Sequence, residues 1–109
     1  MSGMVTVIFR SRLRDEARAE YSELAPRMVE LARSMPGFVS FERFTADDGE
    51  RLSLIAFETL ENVKAWREHP EHRAAQQLGR ERFYSEYSIV VAEQVRSYSF
   101  DGERRTTHI

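Results

Sequence analysis

The strand-like segments of this chain are apolar on both faces, and that constrains its fold more than any other feature. In Met4 to Arg12, Val5, Val7 and Phe9 fall on one face and Met4, Thr6 and Ile8 on the other. In Arg51 to Glu58, Leu52, Leu54 and Ala56 oppose Ser53, Ile55 and Phe57. An antiparallel sheet with one wet face alternates apolar and polar residues. These strands therefore predict a sheet that is covered on both sides.

The segments between them say what covers one side. Ala17, Tyr21, Leu24, Met28, Leu31 and Met35 recur in steps of four and three, a helix over Asp15 to Met35. Asp15 is placed to cap its start, and Glu23 and Arg27 stand four apart on its outer face. Pro26 lies inside it and predicts a kink, because the apolar stripe runs through in phase. Pro36-Gly37 ends the helix, and Phe38 to Thr45 alternates as a strand. Asp48-Gly49 turns the chain back into Arg51 to Glu58. Thr59 caps a second helix with Leu60, Val63 and Trp66 inward, and Pro70 ends it at His69 and opens a third. Gly79 stops or bends that one, and Tyr87 to Phe100 reads as a last, long strand. The order is β-α-β-β-α-β with helical insertions, the ferredoxin-like α+β plan, whose two helices lie on one face of the antiparallel sheet. The other face is left apolar, so a second copy of the chain is expected against it, a homodimer.

A chain of 109 residues is one domain, read as residues 1–100 with a polar, aperiodic tail over 101–109. Basic residues (16) and acidic residues (18) nearly balance, so no broad positive field exists for nucleic acid or an anionic membrane surface. There is no cysteine, which excludes thiol catalysis, disulfides and cysteine-held metals and fits a cytoplasmic chain. No apolar run approaches the roughly 20 residues of a membrane helix, and the first residues lack the pattern of a signal peptide.

Groups able to line a pocket concentrate in Trp66 to Tyr87, WREHPEHRAAQQLGRERFYSEY. His69 and His72 stand three apart, but Pro70 between them spoils a shared helix face and no third ligand follows, so no metal site is expected. No nucleophile elbow, P-loop or dinucleotide fingerprint occurs.

Three runs carry a family resemblance: PGFVSFERF at Pro36 to Phe44, WREHPEHRAAQ at Trp66 to Gln76 and GRERFYSEY at Gly79 to Tyr87. Together they resemble the antibiotic biosynthesis monooxygenase family, over about residues 4 to 100. The resemblance implies a dimeric α/β barrel, two ferredoxin-like subunits whose sheets wrap together. It also implies one of three roles: a cofactor-independent oxygenase of a planar phenol or quinol, a haem-binding or haem-degrading protein, or a dimeric module that binds a small aromatic ligand without catalysis.

An oxygenase of that kind binds flat rings, takes a proton and keeps the anion from water. Trp66, His69, Phe83, Tyr84 and Tyr87 are the candidate substrate-binding residues, His72 the candidate base and Arg73 the candidate anion holder, with Arg80 beside it. Each has a plainer structural role in view: Trp66 as core, His69 as a helix-end residue. No cofactor is expected for this reading. Haem is the alternative: the haem-degrading members carry an asparagine on the first strand, a tryptophan on the second helix and a histidine beyond it. Only Trp66 fits; the first strand has no asparagine and the histidine position falls near Gln76, with His72 one turn earlier.

Overall fold

The computed structural model describes residues 3–102 and 105–108. Strand β1 (Val5–Leu13) lies inside a four-stranded antiparallel sheet of order β2-β3-β1-β4, with β2 at Phe38–Thr45, β3 at Arg51–Phe57 and β4 at Tyr84–Glu93. Helices α1 (Arg18–Ser34), α2 (Leu60–Glu68) and α3 (Pro70–Leu78) complete the α+β, ferredoxin-like arrangement. Register sets which residues share a face. Val5 pairs with Phe57, Val7 with Ile55 and Phe9 with Ser53, so these six point the same way. Val5, Val7, Ile55 and Phe57 form the core with Ala32 of α1 and Val63 and Trp66 of α2. All of this lies on one side of the sheet.

The opposite side carries Ile8, Leu54 and Val90 in mutual register, with Ala56 and Phe44 beside them. Phe44 and Val90 are each about half exposed. This is the second apolar face that the strand pattern announces.

Local chemistry explains the breaks. The β2–β3 turn closes where Asp48 Oδ1 accepts the Glu50 N–H at 3.0 Å and Gly49 takes a φ of 91°. Thr59 and Asn62 form a reciprocal capping box at the start of α2. Gly37 (φ 78°) lies tight against that box; a Cβ there would come 2.0 Å from Asn62 Oδ1. Pro70 starts α3 at its first position, where a missing N–H costs nothing.

Several expectations need correction. Asp15 does not cap α1: Asp15–Ala17 form a 3-10 turn, and the helix starts after Ala17 without a side-chain cap. Arg27 turns away from Glu23 to bond Glu71 of α3 and Glu30, because a partner on a neighbouring helix is within reach. Pro26 lies inside α1, which runs through it as one helix, as the unbroken stripe implies. Leu60 is exposed at 57%, since the first residue of α2 projects past the sheet. Helix α3 does end at Gly79, its C-cap, but Gly79 keeps right-handed angles (φ −57°, ψ −49°) and opens a π-helical turn over Gly79–Phe83. The last strand is divided: β4 starts at Tyr84, and β5 (Ser97–Phe100) pairs with β6 (Arg105–His108), within the segment expected to be an aperiodic tail. Among the described residues no helix is long and apolar enough to cross a membrane.

Candidate active site

Between the sheet and the helices lies a cavity of about 140 Å³. Its floor is the core face of the sheet: Val7 and Phe9 of β1, Phe41 of β2, Ser53 and Ile55 of β3, Tyr87 and Ile89 of β4. Tyr21 and Met28 of α1 close one side. Trp66 and Arg67 of α2 and His72, Ala75 and Gln76 of α3 form the roof, and Tyr84 closes the far end.

The roof has two unusual atoms. Trp66 Nε1 and His72 Nδ1 are buried, and neither has a hydrogen-bond partner among the described residues. Buried polar atoms left unpaired are uncommon because each costs about 1–3 kcal/mol. The two rings are packed together, centroids 4.4 Å apart, and Trp66 rests on Phe57 at 5.3 Å. Burial pushes the His72 imidazolium down from its ordinary pKa, and a hydrogen bond with the Arg67 backbone opposes the shift only in part. His72 is therefore neutral at neutral pH, with a lone pair or proton at Nδ1 facing no protein group. The indole and imidazole rings both contribute to the cavity wall.

The far end is phenolic. Tyr84 packs edge-on against Phe9 at 5.4 Å and against Tyr87 at 5.8 Å, and meets Tyr21 at 6.0 Å. Burial and the Tyr21 phenol both push the Tyr84 hydroxyl well above its usual pKa, so it stays protonated. Its ring is seated against Gly79, where an added Cβ would come within 2.7 Å of it. That close approach explains the glycine better than a helix stop does.

The structure gathers four of the seven sequence candidates, Trp66, His72, Tyr84 and Tyr87, at one cavity. The other three stand elsewhere. His69 faces the helix junction, its Nδ1 accepting the Glu71 N–H at 3.1 Å as the cap of α3. Phe83 is a core residue, 2% exposed and edge-on to Tyr21. Arg73 is one residue past His72, a rotation of about 100° round the helix, and lies at an outer groove with Lys64 and Glu68. Tyr21, Met28, Ser53 and Gln76 line the cavity without having been picked out as ligand contacts. Tyr21 and Met28 sit on the inner stripe of α1 and read as core; Ser53 alone carried a signal, a hydroxyl residue among buried apolar neighbours.

The profile of the antibiotic biosynthesis monooxygenase family matches residues 4–78. An uncharacterized protein of Bacillus subtilis, YqjZ, is 36% identical over 94 residues, 86% of this chain and 82% of that one. Among solved structures, Rv0793 from Mycobacterium tuberculosis has a TM-score of 0.78 at 20% identity, covering 89% of this chain and 100% of that one. SnoaB from Streptomyces nogalater, described as a cofactor-independent oxygenase, has a TM-score of 0.75 at 14% identity, covering 88% and 97%. At such identities the last two show a shared fold.

Proposed function

Because the chain belongs to the antibiotic biosynthesis monooxygenase family, we propose that it is a cofactor-independent monooxygenase acting on a small planar phenol or quinol held beneath α3. The observation that carries this reading is a cavity walled largely by aromatic and aliphatic side chains, with the packed Trp66 and His72 rings in its roof. Neutral His72 accepts the proton of the ring hydroxyl, and the Trp66 N–H donates to the oxygen left behind. The ring, now electron-rich, reduces dioxygen. One oxygen atom enters the ring and the other leaves as water, the phenol becoming a quinone and supplying every electron. The surrounding apolar wall keeps the anion from bulk water.

Size favours a small ligand. A dry cavity of about 150 Å³ takes one benzene ring, and drug-sized ligands occupy roughly 300–1,000 Å³. At about 140 Å³ the cavity has room for one ring. Oxygen uptake with a panel of one-ring phenols and hydroquinones, in the presence of a chelator, tests the reading. Uptake above autoxidation supports it. Ligand-dependent thermal stabilisation without uptake would replace it with a binding module.

The same reading takes the protein as a homodimer, joined through the apolar face of Ile8, Leu54 and Val90. Sedimentation at micromolar concentration is expected to give twice the chain mass; a monomer would leave that face without its proposed cover.

A further inference from the structure

Beside the cavity lies a second, larger space. It is a surface groove of about 490 Å³, lined by Lys64, Arg67 and Glu68 of α2, Arg73 and Gln76 of α3 and Val91 of β4. Arg67 and Gln76 also line the cavity, so these two side chains stand between the spaces. The floors adjoin as well. Ile89 belongs to the cavity floor, and Val91, the next residue on that face of β4, belongs to the groove. Two residues of strand separate them, roughly 7 Å. A ring in the cavity is therefore within a short chain's reach of the groove.

The groove is basic. Lys64, Arg67 and Glu68 follow at steps of three and one and share a face of α2, and Arg73 and Gln76, three apart, share a face of α3. Three cations and one carboxylate thus line the same space. None of the three cations is in an ion pair among the described residues, although Glu68 stands one turn from Lys64; Arg10, Arg12 and Arg27 each have an acidic partner. Of the three, Arg67 reaches the cavity, close enough for its charge to disfavour the imidazolium of His72. The planar fork of an arginine suits a carboxylate in shape and in charge.

We propose that the substrate is a one-ring phenol bearing a short acidic arm: the ring lies in the cavity, the arm passes between Arg67 and Gln76, and its carboxylate is held in the groove by Lys64, Arg67 and Arg73. This rests on the reading above of the cavity as the substrate site, and it narrows the substrate from phenols in general to those with an acidic side chain. Arg73 then keeps an anion-holding role, outside the cavity rather than in it.

The test is calorimetric binding of three probes at neutral pH: para-hydroxyphenylpropionate, its amide, and hydroquinone as the ring without an arm. Quenching of Trp66, the only tryptophan, is a second readout that reports the ring in the cavity. The acid is expected to bind about fivefold to tenfold tighter than the amide, since exposed ion pairs are individually weak and three cations share the load. That preference should shrink as salt is added. Arg67→Gln, and separately the double variant Lys64→Gln with Arg73→Gln, are expected to bring the acid-to-amide ratio close to one. Glu68→Gln is expected to raise the ratio about twofold by removing a like charge, a gain that damage to the fold would not produce. Equal affinity for acid and amide in the wild type, a ratio that neither basic variant lowers, or a ratio that Glu68→Gln lowers would overturn the groove as the anion site and leave the oxygenase reading standing. Binding of hydroquinone alone would overturn the passage for the arm. Failure of all three probes to bind would overturn the cavity as the substrate site, and this proposal with it. The expected acid preference without oxygen uptake would uphold the groove and sink the oxygenase.

Discussion

Turnover in a His72→Ala variant is expected to fall by about 10²–10⁴-fold, the range a positioned general base contributes. The comparison is oxygen uptake per subunit with a substrate that the wild type turns over. His72 is only half-buried on α3, so its loss should leave the fold intact, and circular dichroism would check that. The pH profile adds a second signature. The imidazole is held below its ordinary value of 6.5 by burial, so it keeps its proton-accepting form further into acid than a free histidine. The acid limb of the wild-type profile should therefore lie below pH 6.5, and the variant should lack it. Stability carries the matching sign. Above that value the group is neutral in both states and contributes nothing; below it the unfolded chain takes up the proton first, and the fold loses stability until His72 also titrates. Unchanged turnover in the variant would remove His72 as the base.

Phe57→Ala should be the most damaging single truncation in the core, costing about 3–5 kcal/mol. Phe57 is 0% exposed, meets Phe38 edge-on at 5.9 Å and supports Trp66. Small domains are stable by only about 5–15 kcal/mol, so a large part of the total goes with one ring. Urea unfolding followed by Trp66 fluorescence measures it, and the released indole should also loosen ligand binding. Leu60→Ala is the control. It alters a residue that sequence periodicity places inward but that stands mostly in solvent, so its cost should stay within about 0.5 kcal/mol. A mild effect at Phe57 would mean that the neighbouring rings collapse into the space.

The contrast between those two residues shows how far the sequence could be read. Strand alternation placed Val5, Val7, Ile55 and Phe57 on one face because a period of two admits only two answers. Thr59 and Pro70 marked their helix starts because each acts through its own backbone neighbourhood. Leu60 was misread because periodicity gives the direction of a face but not how far its neighbour extends. The break between β4 and β5 was missed because the apolar alternation carries on through Gln94–Arg96, where the ladder ends and Val95 is 92% exposed. The cavity is only partly legible in the sequence. The dense aromatic and basic residues of Trp66–Tyr87 mark part of it, and Trp66, His72, Tyr84 and Tyr87 meet there. Tyr21, Phe41 and Ser53 come from three other elements, brought in by packing that no local window contains. His72 and Arg73 adjoin in sequence, and one helical step separates roof from outer groove.

Helix α3 has no fully buried residue, and is fastened by Pro70, the His69 cap and the Arg27–Glu71 ion pair, whose Nε–Oε2 contact is 2.7 Å. The floor of the cavity, by contrast, includes Val7 and Ile55, which belong to the core. The two walls therefore differ in how freely they can be rewritten. A substitution in the floor is judged first by whether the chain still folds; one at His72, Ala75 or Gln76 is judged mainly by what then fits the cavity. Lineages built on this scaffold can diverge in substrate through α3 at little cost to folding, and a laboratory library confined to those three positions would sample new ligands while retaining most of its members as folded protein.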